Sequence, residues 1–158
     1  MKFQHNKALM AGGILSCIAA LIHIAAIIGG PDWYRFFGAG EEMAMMAARG
    51  DAYPIIITSF IAAILSVWAA YAFAGAGLIR RLPFMRFCLC AISFIYLARA
   101  IAGLVVVILM ENPYRAEVRG EVTFMLVSSV IVLVYGLAYA VGTAQIWPML
   151  SRKNPFEE

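Results

Sequence analysis

FMRFCLCAISFIYLARAIAGLVVVILM, Phe84 to Met110, is an apolar run long enough to cross a bilayer. Arg86 lies at one edge and a single charge, Arg99, lies deep inside. Lipid tails do not solvate a guanidinium, so neighbouring helices or a bound molecule must enclose it. Three other apolar runs can supply the neighbours: Ala8–Ile28, Pro54–Ile79 and Val122–Leu150. About 20 helical residues span the hydrocarbon, so the longer runs are expected to tilt or to extend past the headgroups.

Hydrophobic residues make up 64% of the 158, against about half in a soluble domain. No stretch remains for a separate soluble unit. Backbone polar groups in lipid must bond internally, which leaves helices or a closed barrel. Barrel strands alternate apolar and polar residues, and runs such as GLVVVILM do not. The expected fold is therefore all-α: a single integral membrane domain, an antiparallel four-helix bundle.

The charges set an orientation. Lys2, Lys7, Arg80, Arg81, Arg86, Arg152 and Lys153 fall on one side of such a bundle. The other side mixes Arg35, Arg49, Arg115 and Arg119 with seven carboxylates: Asp32, Asp51, Glu41, Glu42, Glu111, Glu117 and Glu121. Cytoplasmic loops are rich in Lys and Arg, so both termini are expected in the cytoplasm of a cell whose inner, plasma membrane the chain crosses several times. The net charge of +3 is a topology signal and implies no nucleic acid partner. The first run continues through Cys17 to Ile28 without a polar mature region behind it, so it reads as a span and not as a cleaved signal. Cys17, Cys88 and Cys90 lie within spans; CxC is not the CxxC of a redox pair, and small packing residues is the plain reading.

Gly29-Gly30-Pro31 ends the first span, and an outer loop follows to Tyr53. Loops of this length carry structure or function. Residues 41–49 read as a short helix with Glu41 and Glu42 at its positive end, Arg49 at its negative end and Gly50 closing it. Trp33, Tyr34, Phe36 and Phe37 suit a headgroup level, so this segment is expected to cover the mouth of the bundle, with Glu41 and Glu42 as its gating residues. Met43, Met45 and Met46 are soft ligands for Cu(I), but packing explains them as well.

Position along the spans predicts depth. His23 and Arg99 each lie about 22 Å from the inner start of their runs at 1.5 Å per residue. Ser59 and Ser128 lie about 8–9 Å below the outer ends of theirs. One polar group per helix thus falls near one plane, and Tyr96 and Gly103 share the face of Arg99. No Asp or Glu lies inside a span. Arg99 reads as a clamp for an anion or polar headgroup, or as a structural cation bonded to carbonyls or reaching outward. His23 reads as a hydrogen-bonded packing residue, with proton acceptor or ligand to metal or haem as alternatives. His5 is on the other side, about 25 Å away, so the two cannot share a metal. No metal and no cofactor is expected.

Leu21-Ile22-His23 with Gly29-Gly30, and Tyr96-Leu97-Ala98-Arg99-Ala100-Ile101, resemble a bacterial four-helix inner-membrane family of unknown function. There a His precedes a Gly-Gly end in helix 1, and helix 3 carries a Leu-Arg-Ala-Ile-like stretch. This chain lacks that family's Trp after the His, and its outer loop differs. The resemblance implies the bundle and a His23–Arg99 pairing; it implies no activity.

The expected function is binding or moving a small amphipathic or anionic molecule in an outward-facing intramembrane pocket. Arg99 would hold the anion, with His23, Ser59, Ser128 and Tyr96 around it. Two other readings stand beside it. One is a non-catalytic assembly subunit, packing its small faces Gly12–Gly30 and Ala70–Gly77 on a second copy or a partner membrane protein. The other is a membrane-embedded lipid-modifying enzyme with His23 as base.

Overall fold

The computed structural model describes residues 5–109 and 119–150. Most of the short acidic loop, at 110–118, and the polar tail, at 151–158, lie outside the described residues. The elements are α1 (Lys7–Gly29), α2 (Pro31–Phe36), α3 (Glu41–Ala48), α4 (Ala52–Gly75), α5 (Met85–Leu109) and α6 (Arg119–Leu150). Among the described residues there is no strand.

Local chemistry sets the boundaries. The Asn6 carboxamide accepts from the Leu9 N–H at 2.8 Å, so α1 starts with a side-chain cap. The same amide donates to the Gly142 carbonyl at 3.2 Å and to Gln145 Oε1 at 2.9 Å. One Asn therefore ties the start of α1 to the last turns of α6. Gly30 stands at φ 70, a left-handed conformation that glycine takes without a Cβ clash. Pro31 then opens α2 at a position where its missing N–H costs nothing. This one-and-a-half-turn helix was not legible in the loop, because its aromatics read as headgroup anchors. The second run ends as a helix at Gly75, short of Ile79, because Gly77 turns left-handed at φ 79.

Four helices are long and apolar enough to cross a membrane: α1, α4, α5 and the Val122–Pro148 part of α6. In each, about a quarter of the most apolar window is buried within the protein. The rest faces outward with large apolar side chains, such as Phe94 at 72% and Leu109 at 77% exposure. Water-soluble monomers rarely expose contiguous apolar surface of that extent. A multi-pass membrane protein is the state in which it is matched to its solvent.

The helices pack most closely as two pairs, α1 with α4 and α5 with α6, and α1 on α6 is the principal contact between pairs. The short link from α4 to α5 does not make them close partners, although the tight Arg80–Pro83 turn suggests a hairpin of neighbours. Small residues decide the pairing, as expected where lipid offers no hydrophobic drive between helices. A side chain at Gly136 would meet the Leu97 side chain at 2.8 Å and its backbone nitrogen at 3.1 Å. That position holds α5 and α6 at close approach. The buried apolar cluster contains Leu9, Leu65, Leu89, Ile92, Tyr96, Tyr135, Tyr139 and Ile146. Most of it lies from the tyrosines toward the end where Asn6 meets Ala76 and Gly142, and Ala20 and Leu65 continue it about a turn to the other side.

Candidate functional site

The polar centre of the molecule is a hydroxyl chain through all four long helices. Tyr96 Oη and Ser16 Oγ are 3.0 Å apart, Ser16 Oγ and Tyr139 Oη are 2.9 Å apart, and Tyr139 Oη is 3.0 Å from the Trp68 carbonyl. A carbonyl only accepts, so Tyr139 donates to Trp68. Ser16 must then donate to Tyr139, and Tyr96 to Ser16. The direction of every proton in the chain is fixed by one backbone oxygen. The Tyr96 ring also packs edge-on against Trp68 at 4.9 Å and Tyr135 at 5.5 Å between centroids. Ser16 and Tyr139 are fully buried. This aromatic layer crosses the interior near mid-depth.

The face that Tyr96 shares with Arg99 is legible in the sequence, but its partners are not. Tyr135 and Tyr139 stand at i, i+4 and fit either core aromatics or the lining of an amphipathic pocket, and Ser16 is one small residue among several on its face of α1. The available signal was that Ser16 and His23 are seven apart on one face of α1, and that a tyrosine buried in lipid needs an acceptor.

Arg99 lies one turn beyond Tyr96. Its Cα is two residues past the middle of α5, about 3 Å from the midplane of that helix. The side chain is exposed, and among the described residues it makes no hydrogen bond or ion pair. Its Nη1 lies 2.7 Å from where a Cβ on Gly103 would be, so the missing side chain of Gly103 makes its seat. The Ser129 hydroxyl of α6 reaches that same point. Ser129 is fully buried, and its Oγ has no hydrogen-bond partner among the described residues. A guanidinium and an unmatched buried hydroxyl thus meet in the α5–α6 seam. Five N–H donors and one hydroxyl form a set that suits an oxyanion.

The other expected residues divide. Half-buried His23 donates from Nδ1 to the Ala19 carbonyl of its own helix at 2.8 Å, which leaves Nε2 as the acceptor in the neutral ring. It shares the Ser16 face of α1, about 10 Å farther along. Ser128 is half-buried and donates to the Met125 carbonyl at 3.1 Å, so its hydroxyl is already engaged and Ser129 takes its place at the seam. Ser59 is exposed and, nine residues from Trp68, half a turn out of phase with the side of α4 that meets Tyr96. The structure does not bring it to Arg99; Thr58, one position earlier, is the buried hydroxyl of that turn.

The segment over the far end is built. Arg35 grips Glu41 with Nε and Nη2, both at 2.8 Å, and reaches Asp32 at 3.0 Å. This two-pronged contact holds the Glu41 carboxyl below the usual range, chiefly by hydrogen bonding to the guanidinium, and raises the Arg35 value in turn. Tyr34 is 2% exposed, and its phenol oxygen has no partner among the described residues. A side chain at Gly38 would collide with the Phe124 ring, so the α2–α3 segment lies against the start of α6. Glu42 is exposed. Among the described residues no three His, Cys, Asp or Glu side chains group as metal ligands, and the three cysteines are unpaired thiols.

No protein-family model matches the chain, and no curated protein or solved structure is significantly similar to it.

Proposed function

We propose that this chain is a multi-pass protein of a bacterial inner membrane that binds or moves a small amphipathic anion on the outer side of its tyrosine layer. The observation that carries the reading is Arg99. A cation near mid-bilayer depth is costly to leave bare, and this one is exposed beside a buried hydroxyl with no partner among the described residues. An oxyanion between Arg99 and Ser129 satisfies both. Tyr96 forms the floor, His23 Nε2 can accept from a protonated oxygen of the ligand, and the segment clasped by Arg35 and Glu41 covers the outer end. Ser59 has no part in this arrangement.

The orientation belongs to the same proposal. The start of α1 bonds to the end of α4 at Ala76 and to α6 at Gly142, and Arg86 at the start of α5 stacks on Trp147 near the end of α6. These meetings support an antiparallel bundle. The basic side of the charge pattern then places both termini in the cytoplasm.

Titration of purified protein in a neutral detergent with decyl phosphate tests the reading. Hydrogen bonds to a charged group contribute about 1.5–3 kcal/mol. Arg99→Gln should therefore weaken binding about tenfold or more, and Arg99→Lys should weaken it less. Equal affinities in all three proteins would end the proposal.

One observation favours a second reading. The guanidinium is exposed, so a carboxylate on a second copy or a partner membrane protein would satisfy it as well. An assembly subunit would lose its oligomer in Arg99→Gln, as measured by mass photometry, and would show no decyl phosphate binding.

A further inference from the structure

A cleft of about 200 Å³ opens between α4 and α5, and its deep end, at Ile95, comes within one turn of Arg99 on α5. Val67, Trp68, Tyr71, Cys88, Ala91 and Ile95 line it. It exists because these two helices are joined by a short link yet pack sparsely. Along the helix axes the lining runs from Tyr71 and Cys88 near the link to Val67 and Ile95 in the membrane. From Cys88 to Ile95 is about 10 Å. The shape is an apolar trough parallel to the helices, with Val67, Ala91 and Ile95 exposed along its rim.

Its two ends differ. The deep end is apolar, formed by Val67, Ile95 and the face of Trp68. The end at the link is polar: the Tyr71 phenol donates to the Pro83 carbonyl at 3.2 Å and sits beside the Cys88 thiol. Arg80 and Arg81 follow at once in the link, both exposed. An apolar trough whose polar end adjoins the link that carries Arg80 and Arg81 has the charge and polarity sequence of a phospholipid, tail first and anionic headgroup last.

We propose that the α4–α5 cleft is a seat for one acyl tail of an anionic phospholipid whose phosphate lies on the Arg80–Arg81 link. Basic residues between spans at the headgroup level select anionic lipid, each contributing about 1 kcal/mol near such a surface, or about a fivefold preference. The tail fills the gap that α4 and α5 leave, so the lipid acts as packing material between the helix pairs. This seat stands apart from the Arg99 reading and does not depend on it.

Trp68 in the cleft wall is the reporter. In a Trp33→Phe, Trp147→Phe background it is the sole tryptophan, and tail-brominated lipids quench it on contact. The protein is reconstituted in vesicles of unbrominated phosphatidylcholine with a fixed minor fraction of brominated phosphatidylglycerol or brominated phosphatidylcholine. The expected result is preferential quenching by the glycerol lipid, by about fivefold or more in apparent affinity, and weakening with salt. Arg80→Ala with Arg81→Ala should abolish the preference, and Arg80→Lys with Arg81→Lys should keep it. Ala91→Phe, which fills the trough, should remove the saturable quenching by both lipids. Equal quenching by the two lipids in the parent overturns the proposal without any further variant. So does a preference that survives the double alanine change, or quenching unaffected by Ala91→Phe.

Discussion

Replacing Tyr139 by Phe removes one oxygen from the centre of the molecule and leaves the ring in place. That oxygen accepts from Ser16 at 2.9 Å and donates to the Trp68 carbonyl at 3.0 Å. Side-chain hydrogen bonds inside membrane proteins average about 0.6 kcal/mol and reach about 1.7. Two lost bonds therefore predict a destabilisation of about 1–3 kcal/mol. The fixed donor direction makes the forecast sharper. Tyr96 is the first donor of the chain, and its hydroxyl serves Ser16 alone. Tyr96→Phe should thus cost about half as much, because Ser16 still donates to Tyr139. Tyr139→Ala is the wrong control, since the lost ring adds a cavity term of its own. The assay is reversible unfolding in mixed bicelles, with a double-mutant cycle between Ser16→Ala and Tyr139→Phe. The two changes should be less than additive by about the strength of their shared bond. If Tyr139→Phe leaves stability within about 0.3 kcal/mol of the parent, or if Tyr96→Phe costs more than Tyr139→Phe, the relay as drawn is wrong.

Ser129→Ala separates fold from function: its hydroxyl has no protein partner among the described residues, so stability should hold or rise slightly, while decyl phosphate binding should weaken several-fold. Unchanged binding by titration would remove Ser129 from the seat. The Arg35–Glu41 clasp should respond to acid. The Glu41 carboxyl is held below the usual range, so its contribution is present above the ordinary carboxylate pKa and is lost as pH falls through the lowered one. Amide exchange over 31–50, scaled to the intrinsic rate at each pH, should stay slow at neutral pH and quicken in that acid window. Glu41→Gln should quicken it at neutral pH and remove the acid step; an acid step that persists in Glu41→Gln would assign it to another group.

The architecture was legible because lipid is a demanding solvent. Four apolar runs and the absence of strand alternation leave few alternatives, and Arg99 stood out because a charge inside such a run is rare. Pairing was harder to read. Gly136 on Leu97 and the Gly103–Ser129 contact are facts about which glycine meets which helix, and small residues occur on several faces of every helix here. Ser59 shows the limit of reasoning by depth. Its level was argued from helix length alone, while its azimuth, half a turn from the Trp68 side, decides whether it reaches the site. The adjacent pair Ser128 and Ser129 makes the same point by one residue, or 100° of rotation. The hydroxyl chain was hidden for a different reason. Ser16, Tyr96 and Tyr139 are polar only at one atom, and a hydropathy pattern counts the tyrosines as apolar bulk.

Arg99 stands beyond the tyrosine layer, and the proposed anion reaches it from the outer side. The direct measurement is thiol accessibility in sealed right-side-out vesicles, with Cys17, Cys88 and Cys90 replaced by alanine and a single cysteine placed at position 99 or 16. Arg99→Cys should react with a membrane-impermeant anionic methanethiosulfonate added outside, and Ser16→Cys should stay unreactive within the layer. A cysteine at 99 that reacts only from the inside, or not at all, would contradict the account.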